Sequence, residues 1–177
     1  MEKEAFSIVN QNDKVLYPVY GKEALHAAKG PHRSVHLFIE GFDRTFMVQK
    51  KAAGTENAGK WSSAVSGHVR HLETYEKAVI REAEEELGLD VAGDDLLYIL
   101  KAFPCGETGN EFVALYTYLI DKEKEQVEIN NGEVDEIMTV PLEDLIVDTS
   151  ENTNDYSPAF IALFECWLKV ERLGGKG

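Results

Sequence analysis

The sequence predicts an α/β fold, with helices sandwiching a mixed β-sheet. Three observations carry this. Short apolar runs rich in β-branched and aromatic residues recur as far as Gly67. From Thr74 the period turns helical: Ala78, Val79, Ala83 and Leu87 suit one face of an amphipathic helix. Strand-like runs then return, and the chain closes on "SPAFIALFECWLKVERL", a helical segment with a broad apolar face ended by "GGKG".

The elements follow in order. "AFSIV" and "KVLYPVY" flank the polar cluster "NQNDK" and predict a hairpin. "GKEALHAAKG" is a short helix or turn bracketed by glycines. "SVHLFIE" and "TFMVQKK" are the clearest strands, joined by "GFDR". The loop "AAGTENAGK" leads to "WSSAVSG", read as one strand ending at Gly67. Gly88 stops the helix that starts near Thr74. "LLYILKAF" and "EFVALYTYLI" are strands separated by "PCGETGN". "EKEQVEINNGEVDEIMTV" brings a further strand or two around "NNG". "PLEDLIV" opens a helix with proline at its start. Three main helices thus interleave with the strands. With 177 residues and no repeat, low-complexity block or linker, residues 1–177 read as one domain.

Composition narrows the partners. A 44% hydrophobic fraction supplies a core, and a formal charge of −14 repels phosphate backbones and anionic membranes. A small phosphorylated ligand remains compatible, because a bound divalent cation reverses the local sign. Cys105 and Cys166 form no paired spacing, so neither a disulfide framework nor a zinc site is expected. The N-terminus lacks the pattern of a secretory signal, and no apolar run approaches the roughly 20 residues of a membrane span. The expectation is a soluble, cytoplasmic protein.

The run "REAEEELGLD" concentrates carboxylates. Glu82, Glu85 and Glu86 stand at i, i+3 and i+4, on one helical face. Like charges so placed repel unless a cation sits among them, and hard divalent cations favour oxygen ligands. Arg81 is placed to pair with Glu73 or Glu85. Glu76 and Glu84 read as solvated charge.

Gly67, Glu73, Arg81, Glu82, Ala83, Glu85, Glu86, Gly88 and Leu89 follow a fixed spacing. It resembles the Nudix hydrolase signature, G-x5-E-x7-R-E-U-x-E-E-x-G-U, over residues 67–89. Ala83 is small where a larger aliphatic is usual. The resemblance implies a Nudix-type α/β/α sandwich around a mixed sheet and hydrolysis of a small-molecule diphosphate with Mg²⁺ or Mn²⁺. It implies Glu82, Glu85 and Glu86 as metal ligands and Gly67 as a backbone contributor, with Glu73 and Arg81 orienting. The cation acidifies the attacking water, and a carboxylate takes the proton. Glu85 is the first choice for that base, with Glu111 and Glu133 as neighbours able to serve. Homodimers are common in the family, which keeps a homodimer open.

A second resemblance is to isopentenyl diphosphate isomerases of the same superfamily. "PHRSVHLFI", "KWSSAVSGHV", "TGNEFVALY" and "NNGEVDEI" match their segments loosely from about Gly30 onward. His32 and His68 fall at the isomerases' metal-site histidines, with a weaker case for His26 and His36. The isomerases carry a catalytic cysteine before the Gly-His pair, where this chain has Ser66, and a hydroxyl is a far weaker acid than a thiol. They also lack the complete glutamate run. The sequence therefore points to hydrolysis, with isomerisation and a non-catalytic nucleotide-sensing module as rivals. Trp61, Phe103, Tyr116 and Tyr118 read as packing residues, and Lys50 and Lys51 as a solvated strand end, with phosphate contact as the alternative.

Overall fold

The computed structural model describes residues 3–130 and 132–174. Asn131 of the "NNG" turn and Gly175 to Gly177 of the tail lie outside them. Ala5–Val9 (β1) and Val15–Tyr20 (β2) form an antiparallel hairpin, followed by the short helix Lys22–Ala27 (α1). The hairpin turn is tied down by Asp13. Its carboxylate accepts from Arg33 Nε at 2.6 Å, Lys101 Nζ at 2.7 Å and Tyr75 Oη at 2.9 Å.

His32–Gly41 (β3), Thr45–Lys51 (β4), Trp61–Ser63 (β5) and Val65–His68 (β6) come next. The helix Tyr75–Leu87 (α2) follows, then Leu96–Ala102 (β7), Glu111–Ile120 (β8) and Val134–Pro141 (β9). Leu142–Glu151 (α3) and Pro158–Gly174 (α4) end the described chain. The main sheet has seven strands in the order β5-β4-β3-β8-β7, with β6 on β3 and β9 on β4. The β3–β8 pair is parallel and the others are antiparallel, so the sheet is mixed.

Side chains alternate across the sheet and define two apolar layers. Val35, Leu37 and Ile39 meet Ala78, Val79, Ala83 and Leu87 of α2 on one face. Phe38, Phe46, Val113 and Leu115 meet Leu145 of α3 and Phe160, Phe164 and Trp167 of α4 on the other. This is the expected α/β/α sandwich. Tyr116 and Tyr118 are buried strand residues, whereas Phe103 is exposed.

One sequence expectation needs correction and a second is narrowed. "WSSAVSG" is two strands. Ser62 and Ser63 pair with β4, but from Val65 the chain pairs with β3, so it changes partner at Ala64. The switch is possible because β3 and β4 pair only next to their turn, at Ile39↔Met47 and Glu40↔Phe46. "EKEQVEINNGEVDEIMTV" supplies one strand, beginning at Val134. The segment before it covers the end of α2 instead: Glu128 N–H donates to the Leu87 carbonyl and Asn130 N–H to that of Glu86, at 2.9 and 3.0 Å.

Candidate active site

The strand switch carries Ser66, Gly67 and His68 across the sheet directly beneath α2. The helix is set by Thr74, whose hydroxyl accepts from Lys77 N–H at 3.2 Å, and ends at Gly88 with φ 61°. Gly67 is required by close approach. A Cβ there would lie 2.2 Å from Cδ of Glu82. The glycine thus lets the Glu82 carboxylate rest on the β6 backbone.

Arg81 organises the carboxylates. Its Nε and one terminal nitrogen donate to the two oxygens of Glu73 at 2.9 and 3.0 Å, and it also donates to the His68 carbonyl at 3.0 Å. The other terminal nitrogen reaches Glu82 at 2.6 Å and Glu85 at 3.1 Å. Arg81 therefore pairs with both expected partners and fastens the 69–74 loop to the helix. Burial raises the Glu73 carboxyl, but Arg81 and the Arg70 N–H outweigh it and hold it below its ordinary value.

The three helix glutamates share one side of α2 but not one environment. Glu85 is exposed and also meets Arg70 at 3.1 Å. Glu82 is largely buried, and burial pushes its carboxyl up to about 7; Arg81 opposes this while Glu86 and Glu85 add to it. Glu86 is fully buried. Its carboxylate accepts from Gln49 Nε2 and Ser66 N–H, both at 3.1 Å, with Lys51 Nζ at 3.5 Å. Burial raises Glu86 and these donors counter it. Lys51 is thus no solvated strand end: it stands two residues after Gln49 on β4, and both side chains reach Glu86. Lys50, by contrast, lies over the Trp61 ring.

A cleft of about 850 Å³ opens beside this face, lined in part by Glu82, Glu111, Glu133, Ser66, Gly67 and His68. A recess of about 120 Å³ reaches Glu82, Glu85 and Glu133. Glu111 starts β8 directly opposite His32 on β3. One of its oxygens meets Nε2 of His32 at 3.0 Å and Nε2 of His68 at 3.2 Å. Burial would raise Glu111, but the two imidazole hydrogen bonds win and hold it far below the usual carboxylate range. Glu133 is paired with Lys22 of α1, which offsets burial and lowers its carboxyl.

His26 completes a cluster that the sequence placed only weakly. Ligand atoms of His26, His32 and His68 all lie within 4.8 Å of one another. His32 Nδ1 is buried without a partner. Oxygen donors at Glu82, Glu85 and Glu86 and ring nitrogens at the three histidines are chemically suited to divalent cations. Burial is the main reason the Glu82 carboxyl is raised, and the neighbouring Glu86 and Glu85 add to it. Sequence reasoning missed Lys51, Gln49 and Lys22. Only tertiary pairing brings them in, although "QKK" at a strand end was a faint signal for Lys51.

Residues 30–164 match the NUDIX domain, and the chain belongs to that family. Its curated relatives include isopentenyl-diphosphate Delta-isomerase 2 of Aromatoleum aromaticum, 26% identical over 100% of this chain and 93% of that protein. The isopentenyl-diphosphate Delta-isomerase of Klebsiella pneumoniae is 29% identical over 77% of this chain and 76% of its own. Among solved structures, a Deinococcus radiodurans protein superposes with a TM-score of 0.70 at 21% identity, covering 84% of this chain and 90% of that one. The NUDIX domain of Shewanella oneidensis NrtR, solved with ADP ribose, gives 0.62 at 17% identity over 87% and 94%. These likenesses establish the fold.

Proposed function

We propose that the protein is a Nudix hydrolase that uses Mg²⁺ or Mn²⁺ to cleave a diphosphate linkage in a nucleoside diphosphate derivative or similar organic diphosphate. The observation that carries this is the complete carboxylate set on α2, with Glu82 seated on Gly67 at the cleft and Glu85 and Glu86 beside it. A divalent cation held there offsets the charge of the diphosphate oxygens and acidifies the attacking water. Glu82, Glu85 and Glu86 hold it, and Lys51 and Arg81 keep these carboxylates in place. Glu85 is the favoured proton acceptor, since it is open to solvent and borders the recess. Glu111 is the less favoured base, because its carboxylate is already committed to both His32 and His68. It is better suited to orient His32 and His68 as nitrogen ligands.

Isomerisation is the second reading, favoured by the isomerase relatives and by the histidine cluster. Ser66 opposes it. It lines the cleft, and its hydroxyl offers no ready thiolate. The test is phosphate release from a panel of diphosphates with Mg²⁺ and Mn²⁺. Glu85→Gln should lower kcat by about 100-fold or more. Unchanged turnover would remove Glu85 from both roles. Binding without product at high enzyme concentration would favour a sensing module.

A further inference from the structure

Arg81 and Arg70 share the Glu85 carboxylate, and they are held very differently. Arg81 is fixed. Its guanidinium is largely buried and, besides Glu85, donates to both Glu73 oxygens, the His68 carbonyl and Glu82. Withdrawing it would strand those acceptors. Arg70 has fewer ties. One terminal nitrogen donates to the two Glu85 oxygens at 3.1 and 3.4 Å, and the same nitrogen pairs with Glu4, just before β1. Its side chain is 35% exposed.

The backbone of Arg70 is held while its guanidinium can turn. Its N–H donates to Glu73 Oε2 at 2.8 Å, and residue 70 bridges Phe6 of β1. His71 N–H donates to the Ala5 carbonyl at 2.7 Å. The side chain therefore springs from a set point on the small recess, whose lining includes Glu4, Arg70, Glu82 and Glu85. A guanidinium and a divalent cation compete for Glu85, since both need its oxygens and like charges repel. Arg70 can let go at little cost, because Glu4 still accepts from it and water reaches it. Arg81 cannot.

We propose that Arg70 is a positioning residue that holds Glu85 in the metal-free protein and yields it to the divalent cation, with Glu4 as the acceptor that keeps Arg70 afterwards. Arg70 thereby sets the cation affinity of the site. The proposal rests on the reading of Glu85 as a metal ligand. Because one nitrogen serves both acceptors, changes at Glu4 and Arg70 are coupled, whereas independent charges would act additively.

Mn²⁺ affinity is measured on the full chain without substrate, from the spin-resonance signal of free Mn²⁺, with thermal unfolding of the metal-free protein alongside. Arg70→Gln should tighten Mn²⁺ binding about fivefold. Glu4→Gln should weaken it about threefold, because Arg70 then leans on Glu85 alone. In the Arg70→Gln background, Glu4→Gln should change affinity by less than about 1.5-fold. Unchanged affinity in Arg70→Gln overturns the proposal, as do additive effects of the two changes. Where Arg70→Gln folds poorly, Glu4→Gln decides alone, and unchanged or tighter binding in it overturns the proposal. Glu85→Gln separates this role from the ligand reading. Parental Mn²⁺ affinity in that variant overturns both, whereas weakened binding there with Arg70→Gln unchanged overturns the Arg70 role and leaves the ligand reading standing.

Discussion

At the residue scale, the site depends on one close approach. Glu82 lies where a Cβ on Gly67 would stand. The clash falls on the end of a flexible side chain, so Gly67→Ala should cost function more than stability. We expect kcat to fall about tenfold or more as the carboxylate is displaced, with unfolding free energy changed by less than about 1 kcal/mol. Urea titration alongside the phosphate assay checks both, and full activity would show that Glu82 need not sit on β6. The glutamates, Arg81 and Gly67 were legible in the sequence because helix period and fixed spacing bring them together locally. Gln49 and Lys22 were not, Lys51 read as a solvated strand end, and His26 was placed only weakly. Their roles depend on β4 crossing beneath α2 and on α1 folding over β3, which no local pattern encodes.

At the element scale, β3 joins the site to the sheet. His32, Ser34 and His36 share one face of it, and Nδ1 of His36 lies 2.6 Å from the Ser63 hydroxyl on β5. Burial pushes the His36 imidazole down to about 4, with Lys51 and His68 adding to the shift and Glu111 opposing it. The unfolded chain takes up this proton below about 6.5, but the folded protein resists until about 4. Stability from this group is therefore intact above pH 6.5 and lost as pH falls toward 4, by about 3 kcal/mol in all. Urea unfolding across that range should show the slope, and His36→Gln should flatten it. A variant with the same slope as the parent would place the proton uptake elsewhere. The individual strands were legible from their β-branched runs. The break at Ala64 was not, because it reflects a change of pairing partner and not a change in the residues themselves. Likewise Glu128 and Asn130 belong to the end of α2 because their backbone donors go to its last carbonyls.

At the scale of the whole molecule, the sandwich sets α2 with its carboxylates on one edge of a cleft and hydroxyl-bearing strand residues on the wall. The sequence named the layers and the family through the glutamate box. It did not reveal the cleft lining, since Ser34, Ser62 and Ser157 lie far apart in the chain and converge only through the β3 and β4 pairings and the docking of α4. Among the described residues no helix is long and apolar enough to cross a membrane. Under the proposed function this Nudix protein hydrolyses and does not isomerise, because Ser66 stands in place of a thiol beside an intact carboxylate set. The most direct measurement is incubation with isopentenyl diphosphate and Mg²⁺ in deuterated water, followed by deuterium and phosphorus magnetic resonance. The expected result is no deuterium in the substrate carbon skeleton, with any product appearing as released phosphate. Mg²⁺-dependent deuterium incorporation without phosphate release would contradict it.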